Sequence, residues 1–339
     1  MNFRNKLVLT IIPILIIGVA ALAISSYVVA SRSIMNQDEE NMEHVVSKTV
    51  DELSMWLEDR ARDAEFFSGI EVFKEACRGE SLAEARARLE SYHQKVNFYE
   101  NIFLADPQGT IFIDSINGQS EGIPVKEIPI YRQNIVNTRK GETWIGVAAK
   151  SPATGRPVVL ITSPIYSGSE LIGMVGTPIE LNSFSKRFIS SFSIGETGYM
   201  FMLDPNGVAI AHPNEEYILK VNLSEYDFGQ KMLDQKNGTI DYVWEGVPKI
   251  GVFRTEPDKG WLIAANVTKS ELLAEVKQVQ YISLGLGALV IIIVALITWV
   301  ITTSVYNTVR RSITMLDESS NQMALSSNQI STASQQLAE

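Results

Sequence analysis

The stretch Tyr281–Thr303, YISLGLGALVIIIVALITWVITT, carries no charged residue. A helix of about 20 apolar residues is what the roughly 30 Å hydrocarbon core of a bilayer requires. Tyr281 and Trp299 stand near its two ends, where amphipathic rings favour the headgroup layer. A helix buried in a soluble protein seldom runs so far without polar relief. The stretch is read as a membrane span at 281–303, so whatever precedes it and whatever follows it lie on opposite sides of a membrane.

A second apolar run, Leu7–Ala30, follows Arg4 and Lys6. A cleaved signal peptide competes for this reading, since Val29-Ala30-Ser31 offers small residues for cleavage. The run exceeds the roughly 7–15 residues of a signal core, which favours an uncleaved helix at 7–30. Basic residues flank the outer ends of both runs: Arg4 and Lys6 before the first, Arg310 and Arg311 after the second. The positive-inside rule then puts 1–6 and 304–339 in the cytoplasm and 33–278 outside.

Several function classes are disfavoured. The formal charge of −10 is the reverse of a nucleic-acid footprint. Cys77 is the single cysteine, so no intrachain disulfide staples the fold; a small, half-buried structural role suits it. His44, His93 and His212 lack metal-ligand spacing. Gly195-Glu-Thr-Gly198 matches neither a phosphate-binding loop nor a dinucleotide fingerprint, and no Gly-x-Ser-x-Gly elbow occurs. The chain is expected to need no cofactor and not to be an enzyme.

Within the external region, Val46, Val50, Leu53, Leu57, Arg60, Ala64 and Phe67 recur at steps of four and three. That stripe predicts a helix over 33–67, ended by Gly69. It either packs on its own domain or forms a stalk against a partner chain; the two are compatible. A further helix is predicted over Leu82–Lys95. The period then changes: Asn101-Ile-Phe-Leu-Ala, the turn Asp106-Pro-Gln-Gly109 and Thr110-Ile-Phe-Ile-Asp114 read as a β-hairpin. The arrangement returns as Tyr199–Leu203, Asp204-Pro-Asn-Gly207 and Val208–His212. After each hairpin come a short helix (130–139, then 229–235), three strands and an exit helix. In the second copy Glu245-Gly-Val-Pro248 is expected to form the turn before the strand Ile250–Thr255. Two such copies are too large for a solenoid and predict two tandem α+β units built on antiparallel sheets.

Ser193-Ile-Gly-Glu-Thr-Gly-Tyr199 with Ala209-Ile-Ala-His-Pro213 resembles the junction of double Cache sensor domains. Lys140-Gly-Glu-Thr-Trp144, Thr154-Gly-Arg-Pro-Val158 and Leu171-Ile-Gly-Met-Val-Gly176 extend the likeness over about 35–275. The resemblance implies two PAS-like modules on one long helix at 33–79. The membrane-distal module (80–192) would hold a small-molecule pocket, and the proximal one (193–270) would couple to the membrane. Relatives that bind amino acids often carry Asp-Arg-(Pro or Trp)-Tyr entering the short distal helix, the arginine gripping a carboxylate. Here the segment is Glu127-Ile-Pro-Ile-Tyr131-Arg132. The arginine before the aromatic position is missing, and Thr177-Pro178 stands where an aspartate is often found. The remaining ligand-binding candidates are Tyr131, Arg132, Trp144, Lys150, Thr162 and Thr177. Tyr131 and Trp144 suit an apolar pocket wall or the core. Arg132 and Lys150 suit an acidic ligand or a solvated face.

Beyond the second span, Tyr306, Val309, Ile313, Leu316, Ser320, Met323, Ser327, Ile330, Ser334 and Leu337 form an a/d stripe, which predicts a coiled coil and a homodimer. Ser319-Ser-Asn-Gln-Met323 and Leu325–Glu339 resemble the start of the cytoplasmic helix of methyl-accepting chemotaxis receptors. That likeness implies a multi-pass protein of the bacterial inner (plasma) membrane, cut before its signalling tip. A small metabolite would be its ligand, and a cytoplasmic histidine kinase and adaptor would engage residues beyond 339. The rival readings are the sensor half of a histidine kinase or nucleotide cyclase, and a ligand-free membrane scaffold.

Overall fold

The computed structural model describes residues 3–190, 192–193 and 195–336. Ile194 of the junction motif and Leu337 of the heptad stripe lie outside the described residues. The chain divides into a compact unit, Met35–Leu272, and a second unit formed by the helical segments on either side of it in sequence.

In chain order the helices α1 (Phe3–Ser68), α2 (Glu71–Cys77) and α3 (Leu82–Lys95) come first. A module of β1 (Phe103–Ala105), β2 (Ile111–Asp114), α4 (Arg132–Arg139), β3 (Trp144–Lys150), β4 (Pro157–Ser167), β5 (Glu170–Glu180) and α5 (Leu181–Phe188) follows. The second module has β6 (Tyr199–Leu203), β7 (Ala209–Ala211), α6 (Asp227–Gln235), β8 (Asn237–Trp244), β9 (Val247–Thr255) and β10 (Leu262–Thr268). The last helix is α7 (Lys269–Gln336). Strand order is β2-β1-β5-β4-β3 in the first sheet and β7-β6-β10-β9-β8 in the second. The neighbours are antiparallel throughout, so the repeat expected from sequence is a repeat of topology.

The paired Asp-Pro turns show why it recurs. Asp106 Oδ1 accepts from the amides of Gln108 and Thr110 at 2.9 and 2.8 Å. Asp204 Oδ1 accepts from Asn206 and Val208 at the same two distances. Gly109 and Gly207 both close the turn at φ +86°, a region that costs a side-chain-bearing residue about 1 kcal/mol or more. Each hairpin is thus set by an aspartate that organises amides and a glycine that permits the bend.

The predicted stripe of α1 is almost wholly buried: Val46, Val50, Leu53, Leu57, Ala64 and Phe67 join one apolar core with Val159, Ile161, Val175 and Ile179 of the first sheet and Val252, Ile263 and Ala265 of the second. The helix packs on its own domain, across one face of both sheets. Each opposite face has a separate small core: Phe103, Tyr131, Ile135, Leu160 and Met174 in the first module, and Phe201, Leu223, Met232, Tyr242 and Phe253 in the second. Each sheet is therefore a middle layer, and its outer face is where a cavity can form.

One expectation needs correction. The β8–β9 turn is only Glu245-Gly246, both at positive φ, and Val247 and Pro248 already pair with Trp244 and Val243. The proline is tolerated because β9 has not yet met β10 there; that pairing begins at Lys249. Residues 270–278, 281–303 and 304–336 all lie within one helix, α7. Both α1 and α7 contain stretches long and apolar enough to cross a membrane. In the flanking unit these helices meet closely: a methyl group on Gly287 would fall 2.5 Å from Val19 Cγ1, so the contact depends on the glycine.

Candidate functional site

The outer face of the first sheet holds a cavity of about 30 Å³ behind an open mouth, small beside the roughly 300–1,000 Å³ of typical small-molecule sites. Its floor is Phe103, Ile111 and Leu160. Tyr131, carried by a single 3₁₀ turn (Pro129–Tyr131) ahead of α4, closes one side and is 2 % exposed. Its hydroxyl donates to the Lys150 carbonyl at 3.1 Å. Burial, and then the negative charge of Glu100, hold the phenol above its ordinary range.

The polar wall is built from Asn101, Ser120, Ser151 and Glu100. Most of it is committed internally. The fully buried Asp114 carboxylate accepts from the Gly118 and Ser120 amides at 2.6 Å and from Ser120 Oγ at 2.8 Å. Asn101 Nδ2 donates to Ser120 Oγ at 2.9 Å. Ser151 Oγ accepts from the Ala153 amide in the β3–β4 turn. Glu100 differs: it is 4 % exposed, and one carboxylate oxygen accepts from Thr154 Oγ1 at 2.5 Å. Its backbone is pinned beside β5 by its amide, which donates to the Pro178 carbonyl at 2.8 Å.

The six sequence candidates scatter. Tyr131 lines this cavity. Lys150 contributes its carbonyl to Tyr131, while its side chain and that of Arg132 are exposed and neither residue lines the cavity. Thr162 is fully buried and bonds Thr138 Oγ1 at 2.6 Å, with Asn134 Nδ2 at 3.4 Å; it fastens α4 to the sheet. Thr177 is on the other face, its neighbours Val175 and Ile179 belonging to the α1 core. Strand alternation puts Pro178, not Thr177, on the cavity. Trp144 borders a different depression shared with Asn134, Pro205, Lys259 and Trp261, with Lys259 Nζ 5.3 Å above its ring.

Sequence reasoning missed Glu100. Its signal was a lone charged residue opening an otherwise apolar strand segment, Ile102-Phe-Leu-Ala105; only the fold shows that it points into a cavity.

The second module has a matching cavity, about 20 Å³ behind its mouth, walled by Tyr199, His212, Tyr217, Phe228, Tyr242 and Trp244. These rings pack on one another: Phe228 stacks on Tyr242 at 4.6 Å and Trp244 meets Tyr226 edge-on at 5.2 Å. His212 Nδ1 accepts from the Asn214 amide at 2.9 Å. Burial, with the nearby Lys249 ammonium, pushes the imidazole down to about 4. Lys249 itself is buried, donates to Asn266 Oδ1 at 3.0 Å and sits 4.2 Å from the Tyr199 ring. This cavity is an aromatic core with a cleft; the first one alone carries an acidic side chain in its lining.

A sequence match to the Cache domain covers residues 30–276, most of the chain. The chain belongs to the Cache domain family. The chain is 26 % identical over 292 residues to the methyl-accepting chemotaxis protein McpA of Bacillus subtilis (strain 168), covering 86 % of this chain and 43 % of McpA. A shorter match, 28 % over 151 residues, is to the methyl-accepting chemotaxis protein PctB of Pseudomonas aeruginosa, with 42 % of this chain and 23 % of PctB covered. The chain thus spans less than half the length of these curated relatives. Among solved structures, the ligand-binding domain of PctB in complex with L-arginine aligns with a TM-score of 0.53 at 21 % identity, over 69 % of this chain and 97 % of that one. The extracellular domain of the putative histidine kinase rpHK1S-Z16 aligns with a TM-score of 0.59 at 14 % identity, over 70 % of this chain and 98 % of that one. These likenesses establish the fold, two PAS-like Cache modules on a long helix.

Proposed function

We propose that the chain is the sensing and membrane-crossing part of a bacterial chemotaxis receptor. A small molecule occupies the outer cavity of the first, membrane-distal module, and the message leaves through α7. The observation that carries this reading is the continuity of the parts: a Cache domain with a cavity closed by Tyr131, joined at each end to a helix able to cross a membrane. The fold is shared with histidine kinase sensors. The sequence match to McpA spans 292 residues, more than the Cache segment alone holds, and this favours chemotaxis over the kinase alternative.

The domain limits follow the same reading: spans at 7–30 and 281–303, the sensor between them outside the cytoplasm, and a signalling helix from 304. Tyr306, Val309, Ile313, Leu316 and Met323 are exposed on α7, as a seam for a second copy would be. Solved relatives in complex with L-arginine and L-isoleucine support a small amine-bearing ligand. A cytoplasmic kinase and its adaptor are the proposed recipients. Ligand bias arises only from a difference in affinity between two arrangements of the sensor, passed on as a helix shift of an ångström or two.

The test is a melting-temperature screen of residues 30–276 against amino acids, organic acids, amines and purines, repeated with Tyr131→Ala. A ligand that raises the transition in the wild type and not in the variant supports the reading. No shift across the whole panel favours a scaffold role.

A further inference from the structure

The first cavity has one charge and no countercharge. Glu100 is buried, yet no lysine, arginine or histidine is among the residues that line the cavity. Removing a carboxylate from water costs several kcal/mol unless a cation or several donors replace the lost hydration. Thr154 supplies one donor, to Oε1; among the described residues, Oε2 has none. Its polar neighbours cannot help: Asn101, Ser120 and Asp114 satisfy one another, and Tyr131 donates to Lys150. The rest of the lining is apolar, led by Phe103, Ile111, Val125 and Leu160. A carboxylate-bearing ligand would meet no arginine there, and would bring its own negative charge beside that of Glu100.

We infer that the first cavity selects small organic amines lacking a carboxylate, the ammonium donating to Glu100 and an apolar body resting on Phe103 and Leu160. This rests on the cavity being the ligand site, as proposed above, and names the ligand class. Selection follows from charge: an ammonium exchanges water for a buried carboxylate, a zwitterion leaves its own carboxylate unpaired, and an acid is repelled.

Three probes differing by one group each make the test: isoamylamine, leucine (the same skeleton with a carboxylate added) and 4-methylpentanoate (the carboxylate without the amine). Calorimetric titration of the full chain in lipid nanodiscs should rank the amine first, leucine at least tenfold weaker, and the acid without detectable heat. Glu100→Gln should weaken the amine by about thirtyfold or more, the usual consequence of removing one member of a buried charge pair. The wild-type ranking stands without any variant, and Glu100→Asp, which keeps the charge, should retain most of the affinity should Glu100→Gln not fold. Leucine or the acid binding more tightly than the amine overturns the inference and leaves the receptor reading standing, as does unchanged affinity in Glu100→Gln. No binding by any of the three, or by a wider panel of amines and acids, overturns both.

Discussion

Lowering the pH should destabilise the second module through one residue, His212. Its imidazole is held near 4 in the folded chain, first by burial and then by the Lys249 ammonium. An unfolded histidine titrates near 6.5. The Asn214 amide pointing at Nδ1 suits the unprotonated nitrogen. Between these two values the unfolded chain binds a proton that the folded chain refuses, so the contribution to stability is complete above pH 6.5 and is lost as pH falls toward 4. At about 1.4 kcal/mol per tenfold change in proton concentration, the loss is about 3 kcal/mol. His212→Asn keeps an acceptor for the Asn214 amide and removes the titration. Urea unfolding of residues 30–276 at pH 7.5 and pH 4 measures it: the wild type should lose about 3 kcal/mol more than the variant over that interval. Carboxylates titrate alike in both proteins and cancel in the difference. Parallel losses, within about 0.5 kcal/mol, would refute the claim that His212 is kept neutral by its surroundings.

Other consequences are more local. Thr177 Oγ1 is buried without a partner, so Thr177→Val should raise the unfolding free energy by about 1 kcal/mol, read from the urea midpoint, since an unmet hydroxyl costs about that much. Gly176 lies against the Phe103 ring, which an added methyl group would strike; Gly176→Ala should cost about 1–3 kcal/mol in the same assay and loosen the cavity floor. Burial raises the Cys77 thiol to about 12, so alkylation at pH 8 should run on the order of a thousandfold slower than for a free cysteine and reach the normal rate in urea.

The parts set by local chemistry could be read from the residues. The Asp106 and Asp204 turns, the stripe on α1 and the helix Leu82–Lys95 each depend on neighbours in sequence, and each is found where its pattern lies. The β8–β9 turn was over-extended because Pro248 reads as a turn residue, whereas a strand end beside β8 accepts it. The short helix α2 carries no periodic signal in seven residues. The site was less legible. Thr177 and Pro178 differ only in which face of β5 they occupy, and one position of register decides the matter. Glu100 reads as a solvated charge until β5 is laid beside it and the β3–β4 turn covers it.

Glu100 is the deciding location, and a crystal structure of residues 30–276 grown with isoamylamine examines it directly. Electron density for the amine should lie between the Glu100 carboxylate and the Tyr131 ring, with a nitrogen-to-oxygen distance of about 2.8 Å. Density in the aromatic cleft of Tyr217 and Trp244 instead, or an unoccupied first cavity at saturating amine, would contradict it.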